Sequence, residues 1–135
     1  MTSVDRKTNP TPFQTRRKIM VVDDDTVVCA ALTALLQARG YTVSCRSQAI
    51  GTSLAILRDK PDVVVLDVDM PGLTGDAISK ILLNNKPAPA VVFYSSRSDE
   101  ELERIVSETR ALGAIKKGDP REFLMPFEAL LARQP

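Results

Sequence analysis

Val63-Val64-Val65-Leu66-Asp67-Val68-Asp69-Met70-Pro71-Gly72 is the stretch that decides the fold. An apolar run ends abruptly in a carboxylate, then in a Met-Pro turn. Such a run, bounded by turn residues, reads as a strand buried on both faces. Strands of that kind belong to parallel sheets covered by helices. The same pattern occurs earlier, where Ile19-Met20-Val21-Val22 ends in Asp23-Asp24-Asp25. Two buried strands that finish in acids can set those acids side by side. At roughly 4 Å, two such charges repel by about 4 kcal/mol at an effective dielectric near 20. A bound divalent cation relieves that repulsion, and the pattern predicts one.

Outward from these stretches the chain alternates. Strands are expected at Lys18–Asp23, Tyr41–Cys45, Asp62–Asp67, Ala90–Tyr94 and Ala114–Lys116. Helices are expected near Thr26–Arg39, Gln48–Asp59, Asp76–Asn85, Asp99–Ala111 and Pro120–Arg133. In the first helix Val28, Leu32, Leu35 and Leu36 mark one face, and Gly40 supplies the stop. Five strand–helix pairs imply an α/β fold with a doubly wound parallel sheet. Residues 1–16 are polar, carry Pro10 and Pro12, and read as a flexible tail. Residues 17–135 read as one domain.

Composition excludes several function classes. The 135 residues balance 18 Lys and Arg against 17 Asp and Glu, so no strong field favours nucleic acid or an acidic membrane. A hydrophobic content of 44% supports a packed core. No apolar stretch approaches membrane-spanning length. Arg16-Arg17 does not open an export signal, because the apolar segment after it is short and turns acidic. The expected compartment is cytoplasmic. Cys29 and Cys45 show no metal-binding pattern and read as buried or half-buried thiols. The absence of histidine removes Ser-His-Asp and Cys-His catalysis and His-ligated zinc.

In open parallel sheets, ligands sit at the carboxyl ends of strands. Asp23 and Asp24 end the first strand, Asp67 the third and Ser95 the fourth, while Lys117 follows the fifth. All converge on one edge. A carboxylate beside a cation, a hydroxyl and an ammonium suits phosphoryl transfer to the carboxylate. Asp67 is the nucleophile that forms an acyl phosphate. Magnesium suits an all-oxygen ligand set. Ser95 and Lys117 are placed to hold phosphoryl oxygens. Strand alternation aims one of Lys116 and Lys117 at the site, and Lys117 is chosen.

These residues make the chain resemble the response-regulator receiver domain of bacterial two-component signalling. The matching pieces are Val21-Val22-Asp23-Asp24, Asp67 with Met70-Pro71 and Gly75, Ser95 after Val91-Val92-Phe93-Tyr94, and Lys117 before Gly118. The resemblance implies a flavodoxin-like strand order 2-1-3-4-5 and five helices. It implies Asp67 as phosphoacceptor, Asp24 as direct metal ligand, Asp23 as ligand through water, and Asp69 as ligand through its carbonyl. It also gives Asp69 and Arg97 side chains that tune the lifetime of the acyl phosphate. The phosphoryl donor would be a histidine kinase or histidine phosphotransfer protein. Receivers phosphorylate and dephosphorylate themselves and are not conventional enzymes.

Two departures stand out. Ala114 occupies the place where receivers commonly carry an aromatic ring, and Tyr94 alternates to the other sheet face. Pro126 falls inside the last expected helix and predicts a kink or break after Met125. Asp25 reads as a helix N-cap and Met70-Pro71-Gly72 as turn geometry. One alternative function is a phosphorylation-independent binding module of receiver shape. Another is an aspartate-nucleophile phosphatase, suggested by Asp67-Val68-Asp69. With no room for a second domain, the expected output is a downstream protein partner or onward phosphotransfer. The expected chain neither binds nucleic acid nor enters a membrane. It is a monomer or a weak homodimer through the face of the fourth helix, fifth strand and fifth helix.

Overall fold

The computed structural model describes residues 17–134. The expected tail, residues 1–16, lies outside the described residues. The strands are β1 (Lys18–Val22), β2 (Thr42–Arg46), β3 (Val63–Leu66), β4 (Ala90–Ser95) and β5 (Gly113–Lys116). The helices are α1 (Thr26–Ala38), α2 (Thr52–Asp59), α3 (Gly75–Asn84), α4 (Asp99–Thr109) and α5 (Leu124–Ala132). The five strands are all parallel and lie in the order 2-1-3-4-5. Fold class and strand order agree with the sequence reading.

Alternation along the strands builds two cores, one on each face of the sheet. Ile19, Val21, Val63, Val65, Val92 and Tyr94 face α1 and α5, where Leu32, Leu36, Phe127 and Leu131 meet them. Met20, Val22, Val64, Leu66, Val91 and Phe93 face the opposite way, onto Ile56, Ile78 and Ile81. The central strand β3 is buried at every position, as its unbroken apolar run requires. Edge strand β2 is mostly exposed and polar.

Local chemistry sets the element ends. Asp25 Oδ1 accepts from Val27 N at 2.9 Å and Val28 N at 3.3 Å, capping α1. Ser98 and Glu101 form a capping box at the start of α4. Leu73 N donates to Met70 O at 3.2 Å across Pro71 and Gly72, and Gly72 has φ of 83°. That is a turn with proline and glycine at the positions that favour them. α2 begins at Thr52, later than the expected Gln48, because Gln48-Ala49-Ile50 forms a turn held by Arg46 and Thr52. α4 stops at Thr109, since Arg110 adopts a left-handed φ of 62°.

The last helix differs from expectation. Asp119 caps a short 3-10 turn, Pro120–Glu122, and α5 begins only at Leu124. The break therefore falls at Phe123, ahead of Pro126 and not after Met125. Pro126 sits in the first turn of α5, where a backbone N–H has no partner within the helix. Its missing donor costs nothing there, and the proline starts a helix where it was expected to kink one. Glu128 fastens α5 to the connection between α1 and β2 by accepting from Tyr41 Oη at 2.9 Å and Arg39 Nη2 at 3.1 Å.

Candidate functional site

The turns after β1, β3, β4 and β5 meet at one edge of the sheet. Asp67 N donates to Val22 O at 3.1 Å, which seats the end of β3 beside the end of β1. Carboxylate oxygens of Asp23, Asp24 and Asp67 then lie within 4.8 Å of one another. Asp23 and Asp67 are buried, and Asp24 is exposed. The Asp69 carboxylate is not part of this cluster. Each buried acid is also tied to the backbone of its own turn. Asp23 Oδ1 accepts from Asp25 N at 2.9 Å, and Asp67 Oδ1 accepts from Asp69 N at 3.0 Å.

Lys117 supplies the opposing charge. Its N–H donates to Ser95 O at 2.7 Å, which anchors the loop after β5 to the end of β4. Its Nζ lies 2.8 Å from Asp23 Oδ2 and 3.0 Å from Asp67 Oδ2. Lys116 is exposed within β5 and belongs to no described ion pair. Burial pulls the Lys117 ammonium down, but hydrogen bonds and charge from Asp23 and Asp67 outweigh it and raise its pKa. Burial raises the Asp23 carboxyl, against the hydrogen bond from Lys117, and the Asp67 charge adds to the rise. One ammonium facing three carboxylates leaves a negative excess. That oxygen-rich excess fits magnesium, with Asp23, Asp24 and Asp67 as the residues able to hold it.

Ser95 is fully buried at the end of β4. Its hydroxyl is directed at the Asp69 carboxylate, 3.2 Å from Oδ2, and not at Asp67. Arg97 Nε binds the other oxygen of the same carboxylate at 2.8 Å. The hydrogen bond from Arg97 holds the Asp69 carboxyl below its usual range, and its charge adds to the effect. This Ser95–Asp69–Arg97 chain was not legible in the sequence. It depends on which way the side chains of two loops turn.

Tyr94 also borders the site. It lies on the opposite sheet face from Ser95, as alternation requires. Its ring nevertheless sits 5.8 Å from Lys117 Nζ, so the ammonium rests over it. Phe123 packs edge-on against the same ring with centroids 5.0 Å apart. Phe123, where the 3-10 turn gives way to α5, thereby backs the ring over which the Lys117 ammonium rests. The parity shared by Tyr94, Ile115 and Lys117 was the available signal.

The cysteines differ from expectation. Cys29 is buried, but Cys45 is exposed because β2 is an edge strand. Burial pushes the Cys29 thiol up to about 12, with a hydrogen bond and charge from Cys45 adding to it.

Residues 19–125 match the family described as the response regulator receiver domain. The chain belongs to that family. Among curated relatives, protein PilH of Pseudomonas aeruginosa is 32% identical over 119 residues, covering 85% of this chain and 98% of PilH. The transcriptional regulatory protein CreB of Escherichia coli is 30% identical over 122 residues, 87% of this chain. The chain spans about half of CreB, 52% of its length. The structure of chemotaxis response regulator CheY4 of Vibrio cholerae superposes with a TM-score of 0.73 at 19% identity, covering 84% of this chain and 98% of CheY4. A LuxR-family two-component response regulator from Aurantimonas sp. SI85-9A1 gives 0.74 at 27% identity, covering 86% and 85%. Receiver domains are signalling modules of two-component systems, and that is the class to which this chain belongs. No described helix is long and apolar enough to cross a membrane.

Proposed function

We propose that this receiver is a phosphorylation-dependent switch that accepts a phosphoryl group on Asp67. The donor is a phosphohistidine of a histidine kinase or a histidine phosphotransfer protein. The observation that carries this reading is Lys117 Nζ held between Asp23 and Asp67 at 2.8 and 3.0 Å, beside an Asp24 carboxylate. Phosphoryl transfer is chiefly positioning and charge neutralisation, and these groups supply both.

An Asp67 carboxylate oxygen attacks phosphorus, the bond from phosphorus to the imidazole nitrogen breaks, and an acyl phosphate forms. Asp23, Asp24 and Asp67, with the Asp69 carbonyl, would hold magnesium, which would supply positive charge to the phosphoryl oxygens. Lys117 moves its contact from Asp67 to a phosphoryl oxygen as the charge relocates. Ser95 exchanges the Asp69 carboxylate for a phosphoryl oxygen. Asp69 and Arg97 flank the path of the water that later hydrolyses the acyl phosphate. The same residues catalyse gain and loss of the phosphoryl group, so the protein needs no separate active site. It acts in the cytoplasm by binding a protein partner or passing the phosphoryl group on, without binding nucleic acid itself. It works as a monomer or as a weak homodimer through α4, β5 and α5.

Incubation with acetyl phosphate and magnesium tests the reading. One stable phosphoryl group on Asp67 supports the switch. Continuous turnover of phosphate esters would assign a phosphatase instead. No labelling at all would leave a phosphorylation-independent binding module.

A further inference from the structure

Cys29 and Cys45 lie on different elements, α1 and β2, yet the Cys45 side chain reaches the backbone of Cys29. Cys45 Sγ touches the backbone of its counterpart, 3.5 Å from Cys29 O, and sits 3.0 Å from Thr33 Oγ1. Cys45 is exposed, so a dissolved oxidant reaches it, while Cys29 is 7% exposed and waits behind it. An accessible thiol poised next to a resolving one is the arrangement of a reversible oxidation site. In a reducing compartment such a pair stays reduced until oxidant rises. Cys29 Sγ is further in contact with Asp23 O at 3.5 Å, so the pair adjoins the acidic cluster through the backbone.

We propose that Cys29 and Cys45 form a reversible intramolecular disulfide under peroxide, joining α1 to β2 beneath the acidic site. The sulfur of Cys45 attacks one peroxide oxygen, the O–O bond breaks, and Cys45 sulfenic acid and water result. The sulfur of Cys29 then attacks the Cys45 sulfur and displaces the hydroxyl, which leaves as water with the Cys29 thiol proton. The peroxide gains two electrons and the two thiols lose them. Once bonded, Cys29 no longer offers a thiol hydrogen to the Asp23 carbonyl. The bond itself does not depend on Asp67 being phosphorylated.

The test treats the full chain with hydrogen peroxide, digests it with trypsin without reductant, and weighs the peptides. Trypsin cuts after Arg39, so the two cysteines fall on separate peptides. The expected product is those peptides joined, lighter by two hydrogens, independent of protein dilution and released by dithiothreitol. Cys29→Ser should stop the linkage and carry Cys45 on to sulfinic acid. Cys45→Ser, at an exposed position, should stop it and leave Cys29 as a thiol. The Asp23 carbonyl carbon resonance should move on oxidation and return on reduction. Cys45 oxidised with Cys29 still free in the wild type, or links only between chains, would overturn the proposal. An unmoved Asp23 carbonyl in the linked protein would overturn its reach to the acidic cluster.

Discussion

Arg97 Nε stands 2.8 Å from Asp69 Oδ1, and the same carboxylate takes the Ser95 hydroxyl on its other oxygen. Two residues expected to act separately on the acyl phosphate are therefore one unit. Arg97→Ala should shorten the phosphorylated lifetime by screening the phosphoryl group less. The pair is solvent-exposed, so the effect should match an exposed ion pair, roughly two- to fivefold. Asp69→Ala and Arg97→Ala together should change the lifetime by less than the product of the two single effects. Decay of phosphorylated protein on a phosphate-affinity gel measures this. A lifetime unchanged or lengthened in Arg97→Ala would contradict the role.

Asp67→Asn should abolish labelling by acetyl phosphate and keep the fold. Asparagine retains an oxygen for the Asp69 N–H, which now binds Asp67 Oδ1 at 3.0 Å. Magnesium should raise the melting temperature of the wild type, since it binds the folded cluster and not the unfolded chain. At a hundredfold excess over Kd, that linkage is worth about 2.7 kcal/mol. Asp24→Ala should remove most of the shift and slow labelling, because the most accessible of the three carboxylates is gone. Thermal melts with magnesium and with chelator measure both. Equal shifts in wild type and Asp24→Ala would remove Asp24 from the metal site.

The pH dependence follows from Asp23 and Lys117. Asp23 has a raised pKa, so the folded state holds its proton more tightly than the unfolded state does. Its contribution is most favourable below the unfolded value and is lost as pH rises through the folded one. Without magnesium, Asp23→Asn should therefore stabilise the protein near neutrality, and the gain should vanish in acid. Lys117 is also raised, so its contribution is complete below its unfolded pKa and disappears on the alkaline side. Lys117→Met should destabilise the metal-free protein by about 1–3 kcal/mol at neutral pH, since it leaves Asp23 buried and unpaired. That loss should shrink as Asp23 takes up a proton. Urea unfolding with chelator from acid to alkaline pH checks both signs.

The sheet and the converging acids were legible because they follow from unbroken apolar runs and their abrupt acidic ends, while the strand order came from the family resemblance. Val63 to Leu66 has one plausible structure, and the position of Asp67 follows from it. Alternation aimed one of Lys116 and Lys117 at the site, and the resemblance carried by Lys117 before Gly118 favoured Lys117. What the sequence withheld depends on contacts between distant loops. The Asp69 carboxylate turns to Ser95 and Arg97, a choice made by three side chains on two loops. The break at Phe123 is a tertiary effect, since its ring packs on Tyr94 and stacks on Phe127 with centroids 5.0 Å apart in each case. Helical spacing ran through that break, so pattern could not locate it. Exposure of Cys45 followed from β2 being an edge, which strand order had to supply first.

The last prediction concerns the face of α4, β5 and α5. A groove of about 370 Å³ lies there, lined by Leu102, Val106, Gly113, Ala114 and Leu130 among others. It exists because Gly113 and Ala114 are small. A methyl group built on Gly113 would come within 2.6 Å of Leu130 Cδ2. Gly113→Ala should therefore turn the half-buried Leu130 side chain aside and destabilise the protein by no more than about 1 kcal/mol. Pro126→Ala should change stability by less than about 0.5 kcal/mol, because Pro126 lies in the first turn of α5. Activation here has no aromatic ring at position 114 to rotate. Lys117 is instead linked to α5 through Tyr94 and Phe123, so release of Lys117 from Asp67 should loosen Phe123 and the 3-10 turn. Beryllofluoride with magnesium should accordingly alter amide exchange at residues 119–127 as well as at the loops carrying Asp67 and Ser95. Tyr94→Leu should keep labelling of Asp67 and lose the change at 119–127. A response confined to the phosphorylation loops in the wild type would show that this face does not transmit the signal.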